Sequence, residues 1–304
     1  MSAAPSDPAA ERAGAEWTRH AERGSVVLIR FIVWFARRAG RPAARVLLRI
    51  ATAYFFLFAR AARRASRAYL ARCLGRPATL AEQYRHLFAF ASITLDRVFL
   101  LEDRFDLFDI EAHGSELFDA RGALLMGGHL GSFEVMRALG RGHSRAVAMA
   151  MYEENARKVQ SALASVAPER MADIVALGRL DSMLRLTERL EAGALVGVLA
   201  DRTLGDEPVL RVPFLGDPAP FPTGPMRMAA ALRTRVMFMA GLYHGGNRYE
   251  IHFEPLADFT GIETLARAER EARVHEAVAA YARRLEHHCR AAPDNFFNFY
   301  DFWK

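Results

Sequence analysis

The chain has 304 residues, 52% of them hydrophobic and 25% charged, with a formal net charge of +6. Its two cysteines, Cys73 and Cys289, have no metal-ligand spacing, which argues against a zinc site and gives no sign of an oxidising compartment. The size allows one large α/β domain or two small ones, and the charge favours an anionic partner: nucleic acid, a membrane surface or a phosphorylated substrate.

Residues 1–16, "MSAAPSDPAAERAGAE", are rich in Ala and Pro, with no basic start and no apolar core. They read as a disordered leader and not as a signal peptide. From Arg23 to Ala81 there is no Asp or Glu, yet there are 13 arginines. Between them lie "SVVLIRFIVWFA" and "VLLRIATAYFFLFA", each too short or too interrupted for a clean membrane span of about 20 apolar residues. Gly40-Arg41-Pro42 reads as a turn between them. The expectation is a basic helical hairpin over residues 17–77 that lies on or in a membrane interface, with arginine stems along the apolar surface and their heads at lipid phosphates. Core-packing helices with a solvated basic face are the plainer alternative. Nucleic acid is not expected as a partner: these arginines alternate with Phe, Leu and Ile runs, where a groove binder carries polar spacers.

A helical pattern over 78–101 follows. Then the texture changes to short apolar runs bounded by glycine or polar turns, at 123–128, 145–152, 194–201 and 235–243, with an alternating strand at 248–256. Helical stretches at 132–140, 155–165, 179–192 and 224–233 separate them, and a long helix at 263–291 ends before Pro293. Strands alternating with helices predict an α/β domain, residues 78–304, with a mixed, largely parallel sheet flanked by helices.

The first of these strands runs into "GGHLGSFE". Ligands in open α/β sheets gather where strands end and helices begin, and His129 falls at such a point. Gly127 and Gly128 allow a tight turn and close approach by a substrate. Glu134 lies about one turn into the next helix, from where its carboxylate can fold back onto the imidazole, fix the tautomer and leave the other ring nitrogen to take a proton from a hydroxyl. The helix start offers N–H groups to an oxyanion. A capped turn with a hydrogen-bonded histidine explains the same residues without chemistry. Ser132 is not in a nucleophile elbow and reads as a helix cap near the substrate. No phosphate-binding glycine loop is present, and no metal or cofactor is expected. His252 reads as solvent-facing, and His287 and His288 as surface residues of the last helix.

A second polar cluster, residues 199–225, opens with Asp201 and Arg202 and continues as a Pro- and Gly-rich loop with Arg211, Phe214 and Thr223. Long ordered loops at strand ends are commonly functional, so these residues are candidate substrate contacts, with Arg202 placed to bind phosphate or polarise a thioester carbonyl. An Asp–Arg loop anchor is the structural alternative. The tail "NFFNFYDFW" has six aromatics in nine residues, too apolar for a disordered end. It is expected to pack near the active site, with Asn298 and Asp301 hydrogen-bonded there.

Together these segments resemble the bacterial lipid A biosynthesis acyltransferases (lauroyl/myristoyl type) of the lysophospholipid acyltransferase superfamily. The resemblance rests on the HX4E spacing of His129 and Glu134, on "ADRT", and on "VPFLGDPAPFPTGP". Arg202 stands where those relatives usually carry Gln. "EWTRHAERGSVVLIRF" and the aromatic tail look more like a sub-branch of predicted acyltransferases, some linked to aryl polyene synthesis. The resemblance implies a lysophospholipid-acyltransferase fold, a His129–Glu134 dyad, and a donor that is an acyl carrier protein or coenzyme A thioester. It also implies a lipid or polyene-type acceptor with a hydroxyl or amine, and a place on the cytoplasmic face of the inner membrane. A non-catalytic membrane-surface binding protein and an acyl-thioester hydrolase are the other readings of the same chain.

Overall fold

The computed structural model describes residues 22–136, 146–152, 174–179, 181–203 and 207–304, with side chains in the first helix from residue 34 onward. The leader expected over 1–16, the helix expected at 155–165 and the end of the one expected at 132–140 lie outside the described residues. The chain forms two compact units, 1–49 and 50–304.

Helix α1 (Glu22–Phe58) leaves helical geometry within the first unit, at Gly40, whose φ of 80° and ψ of 167° suit only glycine. Pro42 follows two residues later, at a position where no helical N–H is required. Gly40-Arg41-Pro42, expected to be a turn, is a kink at which two helical segments meet. Among the described residues no single helix is long and apolar enough to cross a membrane; one bent pair, Trp34–Phe58 and Arg60–Leu74, passes that test of length and composition together.

The second unit begins earlier than the boundary expected at residue 78. Helix α2 (Arg60–Leu74) buries Tyr69, Leu70 and Cys73 in the main core, and its Tyr69 hydroxyl donates to the Pro293 carbonyl at 3.0 Å. Its arginines hid that face in the sequence, because the buried residues occupy only one narrow stripe of a strongly basic helix. Helix α3 (Leu80–Leu101) starts at a capping box in which Thr79 and Glu82 satisfy each other's backbone N–H groups.

Seven strands make the sheet: β1 (Asp109–His113), β2 (Ala123–Gly127), β3 (Val147–Tyr152), β4 (Ile174–Leu177), β5 (Leu195–Leu199), β8 (Arg235–Tyr243) and β9 (Arg248–Asp258). Their order is β1-β9-β8-β2-β5-β3-β4, with every pair parallel except β8 and β9. This is the mixed, largely parallel sheet expected from the alternating texture. Strand β2 is buried along its whole length, as a central parallel strand covered on both faces must be. The described residues also form helices α4 (Ser182–Glu191), α5 (Gly224–Ala231) and α6 (Arg267–Ala291), and α6 packs Val278, Tyr281, Ala282 and Leu285 into the main core.

The Pro-rich stretch expected to be a loop is instead a hairpin, β6 (Val209–Phe214) and β7 (Asp217–Pro222). Both strands are edges, so Pro213, Pro218, Pro220 and Pro222 forfeit little pairing. The turn places Leu215 and Gly216 at φ 52° and 94°, and the Leu215 N–H donates to Glu286 Oε2 of α6 at 2.7 Å.

Candidate functional site

Two adjacent strands deliver the site. β2 and β5 run parallel in register, with Gly127 opposite Leu199. Two residues beyond those ends, the chain carries His129 on one side and Asp201 on the other. His129 Nδ1 lies 2.9 Å from Asp201 Oδ1, and the His129 backbone N–H donates to Asp201 Oδ2 at 3.1 Å. An ionised carboxylate only accepts, so Nδ1 carries the proton and Nε2 is left as an acceptor. Asp201 is 1% exposed. Burial acts to raise its pKa, but His129, Arg202 and Asn298 outweigh burial and hold the carboxyl well below the usual range. The imidazole itself keeps a partly open face, with 30% of its side chain exposed. The arrangement leaves Nε2 open to accept a proton, with the ring oriented by a buried carboxylate whose charged form its partners favour.

Glu134 does not fold back onto this imidazole. It heads a short 3-10 turn, Glu134–Met136, and its Oε1 is paired with Arg97 Nε of α3 at 2.6 Å. Spacing alone could not distinguish these outcomes, because the strength of the Arg97 pairing is invisible until α3 is packed. Ser132 is buried and its hydroxyl reaches Glu134 Oε2 at 3.5 Å. The backbone donors expected to serve an oxyanion are in part committed: Gly131 N–H donates to the Asn295 carbonyl at 2.8 Å and Ser132 N–H to the Gly241 carbonyl at 2.7 Å.

Gly128 has a tertiary reason as well. A Cβ there would meet the Tyr281 hydroxyl at 2.9 Å and Asp201 Cγ at 3.4 Å. The glycine makes room for α6 and the dyad acid at that point. Tyr281, which the sequence did not single out, donates its buried hydroxyl to the Gly127 carbonyl at 2.8 Å and so fixes the end of β2. Gly131, with φ 68°, passes against Gly241, where a Cβ would overlap the Gly241 carbonyl.

The aromatic tail packs against the site. Phe297 N–H donates to the His129 carbonyl at 2.7 Å, and Leu130 bridges Phe296 in antiparallel fashion. Asn295 caps β8, accepting from Tyr243 N–H at 2.7 Å and donating to the Tyr243 carbonyl at 3.1 Å. Asn298 Nδ2 donates to Asp201 Oδ2 at 2.9 Å. The tail thus packs at the site as expected, with Asn298 hydrogen-bonded there. Asp301 differs: it is exposed and pairs with Lys304 at 3.4 Å.

Of the remaining candidates, only Arg202 lies beside His129 and Asp201. Arg202 is an anchor, donating to Asn298 Oδ1 at 2.6 Å and to the Phe297 carbonyl at 2.9 Å. Phe214 is wholly buried among Phe221, Phe296, Phe302 and Trp303, so its ring belongs to the core. Thr223 is buried, and its hydroxyl donates to the Pro208 carbonyl at 3.1 Å. Arg211 is exposed on β6. His288, expected at the surface, is 3% exposed; its ring stacks on Phe238, and its Nε2 lies 2.6 Å from Glu254 Oε1. His252, expected to face solvent, stacks on His113 and pairs with Glu250 at 3.1 Å. Both cysteines are free and buried. Among the described residues, no group of His, Cys, Asp and Glu is arranged to hold a metal ion.

The sequence profile of the family described as bacterial lipid A biosynthesis acyltransferase matches residues 14–304. Among solved structures, the 1-acyl-sn-glycerophosphate (LPA) acyltransferase PlsC from Thermotoga maritima is similar at 18% identity, with 81% of this chain and 98% of that one covered and a TM-score of 0.37. No curated protein sequence matches the chain.

Proposed function

Because the chain belongs to the bacterial lipid A biosynthesis acyltransferase family, and is therefore an acyltransferase of lipid-like acceptors, we propose that His129 is its general base and Asp201 the acid that orients it. The observation that carries this reading is the 2.9 Å bond from His129 Nδ1 to a buried carboxylate, which leaves Nε2 as the acceptor. In the proposed reaction Nε2 removes the proton of an acceptor hydroxyl or amine as that atom attacks the carbonyl carbon of an acyl thioester. The tetrahedral intermediate expels the thiolate, and the imidazolium returns the proton to sulfur. Transfer is direct: Ser132 is buried against Glu134 and both cysteines are buried, so no nucleophile among the described residues is poised for an acyl-enzyme. Glu134, held by Arg97, supports the turn that carries Ser132 and the base. The donor is an acyl carrier protein or coenzyme A thioester; basic, exposed Arg211 suits either anionic donor.

Access to a lipid acceptor comes from the chain around residue 58. Tyr54, Phe55, Leu57 and Phe58 are exposed at the end of α1, and the exposed arginines Arg60, Arg64 and Arg67 follow on α2. Aromatic and aliphatic side chains beside a basic face suit the interface of an anionic bilayer. In that setting the enzyme works at the cytoplasmic face of the inner membrane.

The test pairs two donors, palmitoyl-coenzyme A and palmitoyl-acyl carrier protein, with a total lipid extract from a strain lacking the gene. Thiol release and the mass of the acylated product are followed together. New acylated lipid that depends on His129 is expected. Thiol release without acylated product identifies a hydrolase, and vesicle binding with no thiol release identifies a surface-binding protein.

A further inference from the structure

The carboxylate of Asp201 is gripped from two sides. His129 holds one side, through its ring and its backbone N–H. The other side is held by the tail of the chain, 97 residues away: Asn298 Nδ2 donates to Oδ2 at 2.9 Å. The Asn298 oxygen is itself fixed, accepting from Arg202 Nε at 2.6 Å. Only one orientation of the amide satisfies both neighbours, because a flipped amide would set oxygen against carboxylate and NH2 against guanidinium. Arg202 Nη2 then donates to the Phe297 carbonyl at 2.9 Å, and the Phe297 N–H donates to the His129 carbonyl at 2.7 Å. The bonds close a ring that passes through His129, Asp201, Asn298, Arg202 and Phe297. Asn298 is 2% exposed, so the protein itself must supply the donors on this side of the carboxylate.

We propose that Asn298 is a positioning residue for acyl transfer, acting through Asp201, and that docking of the C-terminal segment thereby completes the catalytic centre. This rests on the reading of His129 as general base and extends it to the tail. A second partner on a ligand that orients a histidine commonly carries a 10- to 100-fold effect where it has been measured at metal sites. The same logic holds for an aspartate whose angle sets the direction of an imidazole. Loss of the Asn298 donor also leaves more negative charge on Asp201 facing the ring, which favours the imidazolium.

The experiment measures kcat, KM and the pH profile of kcat/KM for Asn298→Ala and Asn298→Asp, with whichever palmitoyl thioester the wild type turns over. His86→Gln serves as the structural control. It disturbs the same tail, through the bond between His86 Nε2 and the Phe296 carbonyl at 2.8 Å, without touching Asp201. For Asn298→Ala we expect kcat about 10- to 100-fold lower, KM within about threefold of wild type, and the acidic limb moved up. The limb should move further for Asn298→Asp, which puts a second negative charge beside Asp201. His86→Gln should lower Tm yet keep the wild-type limb. The inference is overturned if both Asn298 variants keep the wild-type limb, or if His86→Gln moves it equally, since the effect would then be general loosening. Full turnover by His129→Ala would overturn the parent reading as well, and so separates the two failures.

Discussion

His129 and Asp201 meet because β2 and β5 are in-register parallel neighbours: Gly127 lies opposite Leu199, and each chain carries its functional residue two positions further on. The resulting 2.9 Å bond joins residues 72 positions apart. It is a property of the sheet and not of the HX4E spacing.

Replacing His129 with Ala should cost about 10² to 10⁴ in kcat, the usual size of a general-base contribution. Asp201→Asn should approach the same loss, because an amide NH2 facing Nδ1 forces the proton onto Nε2, the nitrogen that must accept one. Steady-state kinetics on folded protein check both. Near-normal turnover by Asp201→Asn would remove this aspartate from the mechanism.

Glu134 should behave differently. Its carboxylate is tied to Arg97 at 2.6 Å, so Glu134→Gln should lower Tm and reduce kcat less than Asp201→Asn does. A double-mutant cycle of Glu134→Gln with Arg97→Met should show coupling of about 1 kcal/mol in stability. Additive effects in that cycle, together with a rate loss equal to that of Asp201→Asn, would return Glu134 to the imidazole.

Acid should weaken the fold before the carboxylates titrate. Burial pushes the pKa of His86 down to about 4, against the backbone bond from Phe296 that favours its charged form. Its folded pKa lies below its unfolded value of about 6.5. Above that value both states are neutral and stability is full. As pH falls from about 6.5 to about 4 the unfolded chain takes up a proton that the folded one refuses, and stability drops by about 3 kcal/mol. Burial lowers the pKa of His288 too, which adds to the loss in the same direction. Asp201 contributes little in most of this window, because its stabilisation starts to fade only as pH falls through the unfolded carboxylate range, near the window's lower end. Urea midpoints at pH 7 and 4.5 measure the drop, and His86→Gln should shrink it. A His86→Gln protein with the wild-type pH dependence would contradict the assignment.

Gly131→Ala should be among the most damaging small changes. It places a side chain at φ 68° and drives a Cβ into the Gly241 carbonyl, two residues from His129. Gly216→Ala is the matched control: φ is 94°, but nothing lies within 4 Å of the new carbon. The control should cost about 1–2 kcal/mol from the left-handed conformation alone, and Gly131→Ala clearly more, with loss of turnover. Equal Tm values for the two variants would show that the loop adapts.

Removal of residues 295–304 should destabilise the protein and abolish turnover even in detergent, since Phe296, Phe297 and Phe302 are buried and Asn298 reaches Asp201. A truncated protein that stays folded and active in detergent, yet no longer sediments with vesicles, would assign the segment to the membrane.

Much of this protein is legible in local sequence. Short apolar runs bounded by glycine or polar turns marked β2, β5 and β8, because a strand covered on both faces needs only apolar residues and a stop. The turn after "ALLMGG" marked His129, and the density of aromatics in the last nine residues required a buried tail. Pairing was not legible. Asp201 stood in the sequence as a substrate contact, and Glu134 as the partner of His129, because five residues along the chain is near and 72 is far. Sheet order reverses that ranking by setting two strand ends side by side, while α3 brings Arg97 to claim Glu134. The same reason hid the buried stripe of α2 and His288, whereas the hairpin pairs locally and was hidden by its prolines, which ordinarily mark a loop. Residue type and local context marked which groups are candidates for chemistry. Which groups touch was decided by strand register and helix packing, whose contacts are made between segments that share no local pattern.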